Sequence, residues 1–267
     1  GHSLEGVGAI IFDEFHERHV QTDLSLALCL DVVKALRDDL RLLVMSATLD
    51  AETLCDLLQG EAVTAPGREH PVSCHYDVRD GDARESVAAC LGLAAKALEE
   101  TSGDVLVFLP GRREIEQFIQ SARERFVALD LTVLPLHGGL DAKGQDAVLQ
   151  GRDGARRRLI AATDLAETSL TIEGLTAVVD AGLARRPRFD PRSGMTRLET
   201  RRISQASATQ RAGRAGRLGP GQAYRAWTPE RHARLETQSR PEILDADLSP
   251  VQLEIAAWGA TPQALDW

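Results

Sequence analysis

Short apolar runs of strand length recur along the chain, with few polar residues inside them. Most of their residues are leucine or β-branched, which is typical of strands that are buried on both faces of a parallel sheet. Longer segments with an apolar stripe at helical spacing lie between several of these runs. The strand-like runs cover residues 7–12, 41–46, 104–110, 131–136, 157–163 and 175–182, and the helix-like segments cover residues 22–38, 83–100 and 111–126. This alternation predicts βαβ units in an open α/β sheet.

Two breaks in this pattern suggest where domains begin and end. Pro66, Gly67 and Pro71 separate two series of strands and helices, so we place a domain boundary there. After Trp227 the sequence becomes helical with proline breaks, as expected for the beginning of another domain. The predicted segments are 1–66, 67–230 and 231–267.

Composition indicates a folded protein of the cell interior. The chain is 43% hydrophobic and 27% charged, so it can form real cores. No apolar run approaches the length of about 20 residues that a membrane-spanning helix needs, and no secretory signal opens the sequence. The four cysteines form no C-x-x-C pair, which argues against a zinc or disulfide framework. We therefore expect a cytoplasmic protein with no membrane contact.

The charge is unevenly distributed. The net charge of −9 argues against a nucleic-acid-binding protein. However, ten arginines lie between Arg185 and Arg217, and only Asp190 and Glu199 oppose them, which gives a local net charge of +8. Local charge attracts a polyanion more directly than net charge does. On charge alone, a polyanion-binding surface and a solvated arginine-rich face are equally good interpretations.

The first candidate site follows the predicted strand at residues 7–12, where Asp13 and Glu14 are adjacent. Open α/β sheets bind their ligands at the carboxyl ends of strands. An aspartate there can hold Mg²⁺, because this cation prefers carboxylate oxygen. A neighbouring glutamate can orient or deprotonate the water that attacks a γ-phosphate. The pattern is that of a Walker-B nucleotidase, although a strand that ends in ordinary surface acids explains it equally well.

Further motifs favour the first interpretation. The stretch "DEFHER" at residues 13–18 resembles the DEAH motif of superfamily 2 helicases, with Phe15 in place of the usual alanine. The other helicase-like stretches are "SAT" at 46–48, "VLVFLPGRREIE" at 105–116, "PLHGGL" at 135–140, "ATDLAETSLTIEGLTAVVDAG" at 162–182 and "QRAGRAGR" at 210–217. Six motifs in this order make chance agreement negligible. The chain resembles the DEAH-box RNA helicases, in particular the bacterial HrpB family.

This resemblance implies a fold and an activity. It implies two RecA-like parallel-sheet domains, the first incomplete at residues 1–66 and the second at 67–230, followed by the start of a helical winged-helix domain. It implies ATP and Mg²⁺ as cofactors and single-stranded RNA as the partner of a monomer, with DNA left open. The activity would be NTP hydrolysis coupled to 3′-to-5′ translocation. Because no G-x-x-x-x-G-K-[ST] occurs, we expect an internal piece of a longer helicase that is inactive alone; natural loss of this loop is the alternative.

The resemblance also assigns roles to the residues of the first candidate site. Asp13 and Glu14 would hold the metal ion and prepare the attacking water. His16 would support catalysis through a contact with the facing domain. His137, by contrast, is expected to be a structural histidine.

A second group of implied catalytic residues lies in "QRAGRAGR". Spacings of three and four residues place Gln210, Arg214 and Arg217 near one face at the start of a helix. By resemblance, Arg214 and Arg217 would neutralise charge on the transferring phosphoryl group, and Gln210 would position water. The alternative is a solvated arginine-rich helix.

The remaining implied residues would bind nucleotide or nucleic acid, or couple the two sites. Thr163 is expected to contact nucleic acid; in the alternative interpretation, its hydroxyl only caps the turn that follows. The nucleotide residues are Asp180, for the ribose, and Thr168; the nucleic-acid residues are Gly111, Arg112, Arg113 and Thr163; the coupling residues are Ser46, Thr48 and Glu167.

Two other functions remain as alternatives. A non-catalytic nucleic-acid-binding module would bind RNA without hydrolysing ATP. A general Walker-B motor for transport or assembly would share the acidic motif, but the stretches at 162–182 and 210–217 argue against it because their order is typical of helicases.

Overall fold

The computed structural model describes residues 4–47, 51–65, 67, 70–80, 84–150, 156–167 and 172–267. The protein is of the α/β class, and it divides into two compact units. The first unit consists of Gly1–Pro66, Pro187–Leu198 and Ser239–Trp267, and the second consists of Gly67–Arg186 and Glu199–Gln238.

Helices and strands alternate along most of the chain. The strands are β1 (Ala9–Phe12), β2 (Arg41–Val44), β3 (Val72–Tyr76), β4 (Asp104–Phe108), β5 (Leu131–Leu136), β6 (Arg157–Ala162), β7 (Leu175–Asp180), β8 (Leu183–Asp190), β9 (Met195–Arg202) and β10 (Gly221–Arg225). The α-helices are α1 (Val20–Ala35), α2 (Ala51–Leu58), α3 (Ser86–Glu100), α4 (Arg112–Arg125), α5 (Ala142–Gln150), α6 (Gln205–Gly213), α7 (Pro229–Ala233) and α8 (Ser249–Trp258). None of the helices in the described ranges is long and apolar enough to cross a membrane.

The second unit is built on a six-stranded parallel sheet with the strand order β3-β10-β7-β4-β6-β5. The inner strands β4, β6 and β7 are almost wholly buried. Alternate residues of β4 enter opposite cores: Val105 and Val107 pack with α3 and α4, whereas Leu106 and Phe108 pack on the other face. The prediction of a parallel sheet covered on both faces is therefore confirmed for this unit.

Two strands of this sheet were not predicted. β3 and β10 occupy one side of the sheet and pair with each other in parallel. Their sequences, "VSCHY" and "GQAYR", are short and mix polar with apolar residues. The apolar pattern could not identify them, because Ser73 and Cys74 of β3 are exposed and the polar residues Gln222 and Arg225 of β10 form hydrogen bonds with side chains of β3.

The sheet of the first unit contains β1 and β2, which pair in parallel. The prediction that both strands are buried on two faces is wrong for this chain, since Ile11 is 58% exposed and Leu43 is 51% exposed. Phe12 and Phe15 pack on the opposite side with residues of α1. Among the described residues this sheet has two strands only, so helices cover one of its faces and leave the other open.

The C-terminal segment belongs to the first unit. Residues of α8 share an apolar cluster with α1, and the Trp258 indole N–H donates to Asp31 Oδ2 at 2.8 Å. Lys34 also pairs with Asp266. Residues 239–267, which lie within the segment predicted to begin a third domain, thus do not form a compact unit of their own. The assignment of residues 1–66, 67–230 and 231–267 to named domains stays a prediction.

Candidate functional site

The acidic pair lies in a constrained turn directly after β1. Glu14 has φ +50°, a conformation that is uncommon for a residue with a side chain. The Asp13 carboxylate supports the turn by accepting a hydrogen bond from the Glu14 N–H at 2.8 Å. The Phe15 N–H donates to Met45 O at 3.0 Å, just beyond β2. The two carboxylates are therefore held at the carboxyl edge of this sheet.

His16 connects Glu14 to the segment after β2. It is 7% exposed, and its Nδ1 accepts a hydrogen bond from the Ala47 N–H at 3.4 Å. Because Nδ1 is the acceptor, the ring proton of the neutral form lies on Nε2, which faces Glu14 Oε2 at 3.4 Å. His16 thus touches the carboxylate that we expect to prepare water, and it does so from inside the first unit. Ser46 immediately precedes this contact.

The donor atoms of the turn fit a magnesium ion bound together with a nucleotide. Asp13 is exposed and Glu14 is partly exposed. Mg²⁺ in phosphate-transfer sites is commonly held by one or two carboxylates, with phosphate oxygens and water as the other ligands. No cluster of three or more His, Cys, Asp or Glu side chains in the described part of the chain could hold a metal ion by itself. The residues therefore suit a metal that arrives with phosphate.

Arg18, the last residue of the "DEFHER" stretch, is bound within the first unit. The Arg18 guanidinium donates to Asp23 at 3.0 and 3.2 Å and lies 5.7 Å from the centroid of the Phe15 ring. The Arg18 carbonyl accepts from the Glu242 N–H at 3.0 Å. These contacts hold the end of the acidic motif against α1 and the C-terminal segment of the same unit.

His19 makes this junction sensitive to pH. A hydrogen bond to Glu17 at 2.6 Å raises the pKa of His19, burial opposes the shift, and the nearby Glu242 raises the pKa further. A raised pKa means that protonated His19 stabilises the folded state below its unfolded value of about 6.5, and that this contribution disappears as the pH rises through the folded pKa.

We expect the thermal unfolding midpoint to fall as the pH rises from about 6 to 8, and to fall less in His19→Gln, which cannot titrate. Thermal unfolding midpoints of the wild-type protein and His19→Gln, measured at several pH values and a constant ionic strength, would check this. Parallel pH profiles of the two proteins would contradict the role of His19.

The second unit contains a buried arginine at the carboxyl edge of its sheet. Arg211 is 1% exposed. Its Nε donates to Glu167 at 2.8 Å, and its Nη1 donates to Asp180 at 2.9 Å and to the Leu183 carbonyl at 3.3 Å. Its guanidinium carbon lies 4.8 Å from the centroid of the Phe108 ring. Burial lowers the pKa of Arg211, but the two carboxylates raise it by more, so the group stays charged.

Arg214 is held against the same glutamate. It is 6% exposed, its Nε donates to the Glu167 carbonyl at 2.7 Å, and its Nη2 also reaches that oxygen. Arg214 opens a 3₁₀ turn directly after α6. Gln210 is partly buried in the last turn of α6, and Arg217 is exposed beyond the 3₁₀ turn. The three predicted residues therefore gather at the end of a helix, and the expectation of a helix start is wrong.

Asp180 ends β7 and is 3% exposed. Its Oδ1 accepts from the Gly182 N–H at 2.8 Å and from Arg211. Its Oδ2 is buried with no hydrogen-bond partner among the described residues. One oxygen of the carboxylate is therefore bound inside the unit, and contact with a nucleotide ribose stays a prediction.

The predicted nucleic-acid residues lie after β4 and β6. Gly111 precedes α4 and is packed against Arg185, whose guanidinium carbon would lie 2.8 Å from a side-chain carbon added at Gly111. Arg112 pairs with Glu116 at 2.7 Å, and Arg113 is exposed. Thr163 makes no side-chain capping bond to the 3₁₀ turn that follows it, so the capping interpretation is wrong.

The first part of the arginine-rich stretch forms the hairpin of β8 and β9, whose strands are joined by residues 191–194. Several of its arginines have acidic partners. Arg185 donates to Glu114 at 3.0 Å, and Arg186 donates to Asp164 at 2.9 Å. The +8 of the sequence is thus partly neutralised by residues from outside the stretch. Two further predicted residues, Thr48 and Thr168, lie outside the described residues.

His137 has the structural role that we expected. It is 8% exposed, and its Nδ1 accepts a hydrogen bond from the Gly139 N–H at 3.1 Å while its carbonyl accepts from the Leu140 N–H. It therefore shapes the turn that follows β5.

Comparisons with known proteins agree with the motif pattern. The family model for the helicase conserved C-terminal domain matches residues 85–219. The chain is 45% identical over 266 residues to the ATP-dependent RNA helicase HrpB of Escherichia coli, covering 99% of this chain and 33% of that protein. It is 40% identical to the ATP-dependent RNA helicase DEAH12 of Arabidopsis thaliana, covering 96% of this chain and 15% of that protein. The chain thus spans a third or less of these relatives.

Solved structures give the same result. A crystal structure of the E. coli DEAH/RHA helicase HrpB matches with a TM-score of 0.90 and 44% identity, covering 99% of this chain and 34% of that one. A crystal structure of the E. coli DExH-box NTPase HrpB matches with a TM-score of 0.88 and 45% identity, covering 99% and 33%.

Proposed function

Because the chain belongs to the family of helicase conserved C-terminal domains, we propose that the protein that carries it is an ATP-dependent RNA helicase of the DEAH-box type. The observation that carries this proposal is the 45% identity to E. coli HrpB over 99% of the chain. The proposed activity is NTP hydrolysis coupled to translocation on single-stranded nucleic acid, in the 3′-to-5′ direction. The protein would act as a cytoplasmic monomer.

The acidic turn would serve the hydrolytic step. Asp13 and Glu14 would hold Mg²⁺, which when bound neutralises charge on the phosphates. Glu14 would orient and deprotonate the attacking water. Its constrained backbone and its contact with His16 support this role, since both limit where the carboxylate can point. His16 would in turn link hydrolysis to the segment that contains Ser46 and Thr48.

The end of α6 would stabilise the transferring phosphoryl group. Arg214 and Arg217 would act as arginine fingers, which contribute about 10³–10⁵ in rate in related phosphoryl transfers. Gln210 would position water. The contact of Arg214 with Glu167 supports a role for Glu167 in coupling, because Glu167 lies four residues after Thr163, which is proposed to contact nucleic acid. Thr168 and Asp180 would complete the nucleotide contacts.

RNA would be contacted through its backbone. Gly111, Arg112, Arg113 and Thr163 lie near the carboxyl ends of β4 and β6, two neighbouring parallel strands. Such contacts give binding that depends little on sequence and falls as salt rises.

We expect the full-length protein to separate an RNA duplex with a single-stranded 3′ tail when ATP is hydrolysed. The rate should be much lower for a duplex with a 5′ tail, because the strand would be entered from its 3′ side. A gel-based strand-separation assay with both substrates would measure this. RNA binding without ATP-dependent separation of either duplex would instead favour the alternative of a non-catalytic nucleic-acid-binding module.

A further inference from the structure

The buried guanidinium of Arg211 binds two carboxylates of the second unit, those of Glu167 and Asp180, and none of the roles above uses it. We propose that Arg211 is a positioning residue, which sets the place of Arg214 by fixing Glu167. This inference rests on the proposed function, because it assumes that Arg214 acts on phosphate.

The chain of contacts is continuous. Arg211 binds the Glu167 carboxylate at 2.8 Å, and the carbonyl of the same residue accepts the Arg214 Nε–H at 2.7 Å. Glu167 directly follows the 3₁₀ turn Asp164–Ala166, so its backbone lies in a loop. A displacement of its side chain would therefore move the carbonyl that receives Arg214.

Arg211 itself has little freedom to move. It is fixed from three sides by Asp180 at the end of β7, by the Leu183 carbonyl and by the Phe108 ring at the end of β4. These strands belong to the buried centre of the sheet. Through Arg211 the buried sheet therefore restrains Glu167, which lies in a loop. Functional side chains are held in place in this way, by contacts with packed residues that surround them.

Charge balance supports the same arrangement. Glu167 and Asp180 carry two negative charges, and Arg211 supplies one positive charge in their midst. Arg214, bound to the Glu167 carbonyl, brings a second positive charge to the cluster. Because buried charges are costly unless they are balanced, the cluster favours keeping Arg214 close to Glu167.

The test is Arg211→Lys in the full-length protein. Lysine keeps the charge but lacks the planar fork that reaches both carboxylates at once. We expect kcat for RNA-stimulated ATP hydrolysis to fall about 100-fold, as expected when a reacting group is misplaced by about 1 Å, with little change in KM. Arg158→Lys is the matched control, because Arg158 is 3% exposed and pairs with Asp104 at the opposite edge of the same sheet. It should lose stability but keep its kcat per folded molecule.

A double variant separates positioning from general damage. If Arg211 acts through Arg214, adding Arg211→Lys to Arg214→Ala should slow hydrolysis no further than Arg214→Ala alone. Losses that multiply, or an Arg211→Lys protein with the kcat of the wild type, would overturn the inference. The proposed function fails separately, if the wild-type protein does not hydrolyse ATP or if Arg214→Ala leaves kcat unchanged.

Discussion

Replacing Glu14 by glutamine in the full-length protein is expected to abolish ATP turnover while nucleotide stays bound. Glutamine keeps the size of the side chain but cannot accept a proton from water, and general-base catalysis contributes about 10²–10⁴ in rate. Because Glu14 already occupies a constrained conformation, the substituted side chain should stay in place. Single-turnover hydrolysis and nucleotide binding would be measured on the same protein.

A control for the loss of one carboxylate is available in the same unit. Glu61 is exposed and lies outside the acidic turn, so Glu61→Gln should hydrolyse ATP at the wild-type rate. Turnover that is unchanged in Glu14→Gln would contradict the assignment of Glu14 as the base. Loss of nucleotide binding together with turnover would show that Glu14 acts chiefly through the metal ion.

Replacing Arg214 by alanine is expected to lower kcat far more than RNA affinity. An arginine finger stabilises charge that develops in the transition state, so its loss appears in kcat and has a size of about 10³–10⁵. The structure places Arg214 against the Glu167 carbonyl rather than in open solvent, which suits a group held ready for one position. Steady-state hydrolysis and RNA binding at fixed salt would be compared.

Arg125, an exposed arginine at the end of α4, provides a control for the loss of one arginine. Arg125→Ala should leave both kcat and RNA affinity close to those of the wild type. Equal losses of kcat and RNA affinity in Arg214→Ala would instead make Arg214 a contact to the RNA phosphates. The unfolding midpoint of each variant should be recorded, because Arg214 is buried and its removal also costs stability.

The inner strands of the six-stranded sheet were predictable because each contains an apolar run. β4, β6 and β7 are buried on both faces, and such strands leave an unbroken apolar run in the sequence. β3 and β10 escaped prediction because polar residues interrupt them. The burial of β1 and β2 was overestimated for a different reason. Apolar composition indicates that a strand can be covered, but it does not say which part of the chain covers it.

The positions of candidate residues could be proposed from the sequence, but their geometry could not. Motif resemblance singled out Asp13, Glu14 and Arg214 as candidates, and the structure places the first two directly after β1 and the third directly after α6. It did not identify Arg211, since the partners of this residue come from β7 and from the loop after β6. Contacts between distant parts of the chain cannot be read from spacing. One signal for Arg211 was present in the sequence: it lies in the "QRAGRAGR" motif and is followed by the small residues Ala212 and Gly213, which permit close packing.

The most direct test of the proposed function is ATP hydrolysis by the full-length protein, with and without single-stranded RNA. We expect a basal rate that rises when RNA is added and that disappears in Glu14→Gln. A wild-type protein that binds RNA but hydrolyses no ATP under either condition would contradict the helicase assignment, and Asp13 and Glu14 would then have no catalytic role.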